Sequence, residues 1–416
     1  MNRREFLTAM IGGGIFLITG CGEKTPRGKD IRNEVPEHFE PLDVKYLRQL
    51  ITSDPSTTRR IMFQSDEPLQ SPTVELKLGE TMEQFPAVDC TFTDDDHVNR
   101  QYGALIEGLE AGVEYQYRAA DGNRKTDWYL LETPRGSKFK ALIFPDSQCA
   151  NYDVWAAVAK SAIAKNPDAE FFVNLGDIVD NGEDWTQWRA WFDGAPFIKA
   201  IPFVPVMGNH ETYSRQWEVR EPIAYLNYFD VPTNGSSEFN RYYYSFDWKG
   251  AHFMVLNTEP FDGLIDEQKN WLRRDSESNN RKWKIVLMHR DVLQYRINGR
   301  PERQEGFSPE GLEFMPLFDE LGIDLVLTGH LHTYRNRGRI FNFEKSPRGA
   351  VYILTGIAGD VRYPGLWIDH ALDEVIAPQP ETDNFLTLEV DDKSIEVCCF
   401  LPNGTVLDRV VIEQKT

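Results

Sequence analysis

The stretch Phe203-Val204-Pro205-Val206-Met207-Gly208-Asn209-His210-Glu211 joins an apolar run directly to side chains that bind metals or move protons. The same construction recurs on both sides of it, in one order along the chain. Upstream, Phe139-Lys140-Ala141-Leu142-Ile143-Phe144 leads to Asp146-Ser147-Gln148, and Phe171-Phe172-Val173-Asn174-Leu175 leads to Gly176-Asp177. Downstream, Ile285-Val286-Leu287-Met288 leads to His289, and Leu325-Val326-Leu327-Thr328 leads to Gly329-His330-Leu331-His332. Short apolar runs ended by Gly, Asp or Asn predict strands buried on both faces, so these polar residues fall where strands give way to loops. Layered α/β proteins gather their chemistry there. Each segment alone has a plainer reading, as turn punctuation or a structural histidine. The chain has only 8 histidines, however, and His210, His289, His330 and His332 all stand in these segments, which favours a common site.

The donor types are chemically coherent. Two aspartates, an Asn amide and three imidazoles mix hard oxygen with borderline nitrogen, a set suited to a pair of Fe, Zn or Mn ions rather than to calcium or a thiolate-held zinc. The two imidazoles of Gly329-His330-Leu331-His332 are too close in sequence for the i, i+4 spacing of a helical zinc site. At a strand end they can reach neighbouring ions instead. A carboxylate such as Asp177 can bridge two such ions, holding them roughly 3.5–4 Å apart.

Asp146-x-Gln148, Gly176-Asp177, Gly208-Asn209-His210-Glu211, Val286-x-x-His289 and Gly329-His330-x-His332 resemble the signature of calcineurin-like metallophosphoesterases, in particular of purple acid phosphatase-like members. Tyr243-Tyr244-Ser245-Phe246-Asp247, followed by His252-Phe253-Met254-Val255-Leu256-Asn257, is similar to a strand pair of those enzymes. The stretch from Gln268 through Leu272 to Trp283 and Arg290 is similar as well. The resemblance implies that Asp146, bridging Asp177 and His332 hold one ion, and that Asp177, Asn209, His289 and His330 hold the second. It implies that a metal-held hydroxide attacks phosphorus while His210, outside the metal shell, serves as general acid to the leaving group.

Three positions depart from the family pattern. Asp180 stands where purple acid phosphatases place the tyrosine that ligates ferric iron, so no purple charge-transfer band is expected. Its carboxylate is read as acting behind the ligands or on a bound water. Gln148 stands where relatives have His or Gly, and is read either as a neutral ligand or as a hydrogen-bond partner of a bound water. Asn336 replaces a common Arg, leaving Arg335, Arg337 and Tyr334 as candidate substrate-binding residues.

The outer parts of the sequence suggest export. Asn2-Arg3-Arg4-Glu5-Phe6-Leu7 resembles a twin-arginine signal, and Ile18-Thr19-Gly20-Cys21 resembles a lipobox that would make Cys21 a lipidated residue. The apolar stretch between them is shorter than the roughly 20 residues a spanning helix needs. Residues 1–20 are therefore read as an export signal, and 21–36 as a tether from the lipidated Cys21. A membrane-anchored lipoprotein on the periplasmic or cell-surface side is expected.

Residues 37–136 carry short strand-like runs between turn signals, and Gly108 to Tyr115 resembles part of the fibronectin-like domain that precedes many purple acid phosphatase catalytic domains. A small all-β, fibronectin type III-like sandwich is expected there. Residues 137–416 alternate strands with helical stretches such as Asp153 to Ala164. They predict an α/β catalytic domain, a two-sheet αββα sandwich with helices outside, as in the resembling metallophosphoesterases. A formal charge of −20 argues against a nucleic-acid backbone as partner. Cys90, Cys149, Cys398 and Cys399 do not read as a disulfide framework, since the neighbours Cys398 and Cys399 on a strand would point to opposite faces, and a single bridge stays open as an alternative.

The expected activity is binuclear-metal-dependent hydrolysis of a small phosphoester, foremost a phosphomonoester. The alternatives are a phosphodiesterase or nucleotidase and, from another class, a lipoprotein that captures phosphorylated ligands through its metals without turnover.

Overall fold

A computed structural model describes residues 39–414, so the export signal, Cys21 and the tether lie outside the described residues. Two sheets form the C-terminal half. In the first, Phe139–Phe144, Phe171–Asn174 and Phe203–Pro205 run parallel, flanked by the antiparallel strands Phe385–Val390, Ser394–Phe400 and Val406–Glu413. In the second, Ala251–Val255, Trp283–Leu287, Leu325–Thr328 and Ala350–Thr355 are parallel, with Tyr244–Trp248 and Tyr334–Phe341 antiparallel at the sides. The apolar runs singled out in the sequence are these central strands, and they are buried on both faces.

One core lies between the sheets and continues under helices Asp153–Lys165 and Trp185–Gly194 on the outer face of the first. Phe171, Phe246 and Phe253 meet in its centre. Trp155 and Trp191 stack at 5.5 Å between the two helices, and the Trp155 indole donates to the Trp191 carbonyl. A second core seats Leu264–Ser278 and Pro309–Leu321 on the far face of the second sheet. The αββα layering expected from the alternating pattern is therefore present. The Pro309–Leu321 helix has clear limits: Ser308 accepts from the Gly311 N–H, Pro309 opens the first turn, and Gly322 ends it with φ 70. His252 joins strand to helix, with Nδ1 on Asp247 and Nε2 on Asp275, each at 2.8 Å. Burial disfavours its charged form, yet the two carboxylates hold its pKa above the ordinary imidazole value.

The strands of residues 40–132 also pack as two layers around their own core, with Ile61, Phe63, Val74, Tyr102 and Tyr117 inside. One layer contains Glu114–Asp121 and Pro72–Leu78; the other contains Lys45–Leu50, Arg59–Gln64 and Gln101–Ile106. This second layer is not a separate sheet. Leu50 pairs in parallel with Phe203, so the strands on either side of residue 136 share one ten-stranded sheet. No helix among the described residues is long and apolar enough to cross a membrane, and the four described cysteines are free.

Candidate metal centre

Five loops at the ends of the parallel strands converge on one point. Phe139–Phe144, Phe171–Asn174 and Phe203–Pro205 deliver Asp146, Asp177 and Asn209; Trp283–Leu287 and Leu325–Thr328 deliver His289, His330 and His332. The turns are tight. Asp177, His330 and His332 adopt φ 47, 80 and 53, a left-handed backbone that non-glycine residues seldom take and that clusters at functional sites. Close approach explains two glycines: a Cβ on Gly208 would collide with the Asp177 carboxylate, and one on Gly329 with that of Asp146.

Two groups of metal-type ligands result, Asp177 with His289 and His330, and Asp146 with Asp177 and His332. Within each group all ligand atoms lie within 4.8 Å of one another, and Asp177 belongs to both. His289 Nε2 is 3.1 Å from Asp177 Oδ2 and 3.1 Å from Asn209 Oδ1, while His332 Nε2 is 3.1 Å from Asp146 Oδ2. The far ring nitrogens are already committed. His289 Nδ1 donates to the Leu175 carbonyl and His332 Nδ1 to the Val361 carbonyl, each at 2.8 Å, which fixes the tautomer that turns Nε2 inward as a ligand. The carboxylates are aimed by backbone N–H groups, His210 N–H on Asp177 Oδ1 at 2.9 Å and His330 N–H on both oxygens of Asp146.

The electrostatics suit cations. Burial alone would raise the Asp177 carboxyl, but the His289 and His210 imidazoles hold it well below the usual carboxylate range. Burial opposes charge on His289, and Asp177 overrides it, lifting this imidazole to about 10. The pKa of His332 is likewise raised by Asp146 against its burial. His330 lies well below the ordinary value because it is buried and faces His289. Such a set of buried carboxylates gathers whatever positive charge is at hand.

Gln148 completes the fit. Its Nε2 donates to Asp180 Oδ1 at 3.4 Å, and its buried Oε1 has no hydrogen-bond partner. A cation or the proton of a bound water would satisfy that oxygen, so both roles considered for Gln148 suit its position. Asp180 is partly exposed beside His210, with its carboxylate 3.6 Å from Nδ1. Burial raises the Asp180 carboxyl above its ordinary value. His210 itself donates from Nδ1 to the Asp180 carbonyl at 2.6 Å, and its Nε2 lies 3.9 Å from Asp177 Oδ2, at the edge of the ligand cluster.

Three expected substrate contacts are corrected. Arg337 is fully buried, and its guanidinium is taken up by Asp291, Asp373 and the Tyr295 hydroxyl. Arg335 is buried against Asp369 and Asp373, and the Tyr334 hydroxyl donates to Asp408. These residues lie on Tyr334–Phe341, an antiparallel strand running back through the sheet, where a charge must find a buried partner rather than a ligand.

Glu211 carries a role that its motif alone does not reveal. It is fully buried and accepts the backbone N–H groups of Asp177 (2.9 Å), Ile178 (2.8 Å), Val179 (3.4 Å) and Gly208 (2.7 Å). It thereby ties the Asp177 loop to the Asn209 loop. Burial and then the Asp177 charge push its carboxyl up to about 8, against the pull of the Gly208 N–H and the nearby imidazoles. The available signal was an acid directly after Asn209-His210 at the end of an apolar run. Tyr363, stacked on His332 at 4.9 Å, had no such signal.

Residues 139–334 match the calcineurin-like phosphoesterase family. The chain is 31% identical over 266 residues to purple acid phosphatase 18 of Arabidopsis thaliana, covering 62% of this chain and 57% of that protein. It is 30% identical over 201 residues to purple acid phosphatase 15 of the same plant, covering 48% and 36%. A phosphoenolpyruvate phosphatase of Allium cepa is 25% identical over 281 residues, covering 62% and 53%. The chain thus spans less than two thirds of the length of these relatives. In fold it is similar to a purple acid phosphatase from yellow lupin seeds, with a TM-score of 0.71, 17% identity, and 90% and 74% of the two chains covered. It is also similar to PhoD, with a TM-score of 0.61, 12% identity, and 90% and 94% covered.

Proposed function

From the calcineurin-like phosphoesterase domain that the chain carries at residues 139–334, we propose that the protein hydrolyses phosphomonoesters with the help of two metal ions. The observation that carries this reading is Asp177, shared by both ligand groups and 3.9 Å from the Nε2 of His210, which stands outside both. Cations of the Fe, Zn or Mn type held there would polarise the phosphoryl oxygens and activate water. Asp146, Asp177, Asn209, His289, His330 and His332 position that charge. His210 acts on the other side of the phosphorus: with Nδ1 fixed on the Asp180 carbonyl, Nε2 is left to give a proton to the departing oxygen. Asp180, in the tyrosine's place, leaves the centre without a phenolate ligand.

Elemental analysis should return close to two metal equivalents per chain with no purple absorption band. Turnover should favour phosphomonoesters over diesters in a panel. His210→Ala should keep its metals and lose roughly 10²–10⁴ in rate on alkyl phosphates, with a smaller loss on nitrophenyl phosphate, whose leaving group needs little protonation. Loss of the metals from His210→Ala would make the residue a ligand and defeat this assignment.

The proposal extends to cellular place: export by the twin-arginine route, a lipid on Cys21, and a fibronectin type III-like unit between the tether and the catalytic half. Arg3→Lys with Arg4→Lys should retain precursor in the cytoplasm, and Cys21→Ser should abolish lipid attachment. Normal export of the double variant would overturn the twin-arginine assignment.

A further inference from the structure

Trp217 is 55% exposed beside a buried metal centre, and its backbone has φ 64, a region that a bulky residue rarely adopts. Exposing an indole and holding it in left-handed backbone are both unfavourable, and the surrounding loop is built to maintain them. Ser214 receives the Trp217 N–H at 2.8 Å on its carbonyl and the Gln216 and Glu218 N–H groups on its hydroxyl; its own N–H returns to the Glu218 carbonyl. Tyr213 bridges to Val219 across the loop base. Asn181, from the loop that follows Asp177, donates to the Ser214 carbonyl at 2.7 Å.

The N-terminal strands clamp the same loop from outside. Asp94 takes both ends of the Arg220 guanidinium, at 2.9 and 2.6 Å, and Asp95 takes Arg215 at 2.7 Å. What this scaffold presents is a ring standing nearly at right angles to His210 (86°), with centroids 5.9 Å apart and Tyr213 alongside at 5.8 Å. Nearby arginines are committed, Arg215 and Arg220 as above and Arg290 to Glu259. Next to His210 the rim therefore offers an aromatic face rather than free positive charge.

We propose that Trp217 is a specificity-determining residue whose indole stacks on the leaving group and selects aryl phosphomonoesters, in which an aromatic ring is bonded directly to the departing oxygen. This rests on the phosphomonoesterase reading of the same site. His210 meets that oxygen, and a ring attached to it is carried toward the indole, whose centroid stands 5.9 Å from the imidazole, within the reach of aromatic pairing. A small alkyl group at the same place reaches the indole with little surface and no π face.

Benzylphosphonate and propylphosphonate, which cannot be hydrolysed, test this by calorimetric titration of the metal-loaded protein. Wild type should bind the benzyl compound roughly tenfold more tightly than the propyl one, and Trp217→Ala should remove most of that difference. Trp217→Phe should retain it. Trp217→Leu, which keeps apolar bulk without a π face, should lose the preference as alanine does, so that loss of the ring is distinguished from disturbance of the loop. Equal weakening of both ligands, or of neither, would overturn the proposal. Because binding is read without turnover, a wild type that prefers the benzyl compound yet hydrolyses no ester would instead defeat the phosphatase reading.

Discussion

The two sheets of the C-terminal half differ in what they bring to the centre: the first supplies oxygen donors, Asp146, Asp177 and Asn209, and the second supplies nitrogen donors, His289, His330 and His332. They differ also in how those ligands are aimed. Carboxylates need donors, and receive the N–H groups of His210 and His330; imidazoles need acceptors for Nδ1, and find the carbonyls of Leu175 and Val361. Two of these orienting groups cross between the sheets. Leu175, at the end of a first-sheet strand, sets His289 of the second, and His330 of the second sets Asp146 of the first. Each sheet thus depends on the other to aim one of its donors, so the centre is a property of their packing.

The most damaging way to break this arrangement is at the residue both groups share. Asp177→Asn should lose both ions and cost more activity than the roughly 10²–10⁴ assigned to His210, whereas His332→Ala should lose one ion and retain the other. Metal analysis of the two purified variants decides it. Retention of one ion by Asp177→Asn would mean that the groups are independent.

A smaller effect should come from the buried acceptor behind the oxygen side. Glu211→Gln offers one oxygen and an amide donor to four N–H groups, so at least one is left facing a donor. Each N–H stranded in this way costs about 1–3 kcal/mol, and metal affinity should weaken roughly 10–100-fold, as for other groups that orient ligands. Thermal unfolding and metal titration would read both. Unchanged values would show that the two loops hold their shape unaided.

The mildest test lies away from the centre, on the second sheet. The pKa of His252 is raised in the folded state, so its contribution is fully present below the unfolded value of about 6.5 and is lost as pH rises through the folded value. His252→Gln should therefore destabilise by about 1–3 kcal/mol near pH 5.5, and by less near pH 9, in urea unfolding at the two pH values. An equal loss at both would mean that folding leaves the imidazole's affinity for its proton unchanged.

The convergence of these donors and the strands that carry them were legible because each donor lies at the end of an apolar run, where local sequence and local geometry coincide. Arg335 and Arg337 were misread for the opposite reason. Their partners, Asp369, Asp373 and Asp291, are set by tertiary packing, and a buried charge cannot be told from a binding charge by its neighbours in sequence. The same limit hid the clamp of Asp94 on Arg220 and the role of Glu211, whose acceptors and donors come together only when separate loops meet. The runs of residues 37–136 predicted two β layers, but nothing in them indicated that Leu50 would reach across to Phe203.

That last pairing has a consequence for how the chain tolerates being cut. Phe203–Pro205 is a short strand whose outer side is covered by Lys45–Leu50, with the Ile51 N–H on the Phe203 carbonyl. A fragment beginning at residue 137 would leave that side as an open sheet edge, flanked by apolar residues, with backbone donors and acceptors free to pair with another molecule. The N-terminal strands thus act as a guard against self-association as well as a neighbour, and the C-terminal half is best regarded as a unit that carries its own edge protection upstream of itself.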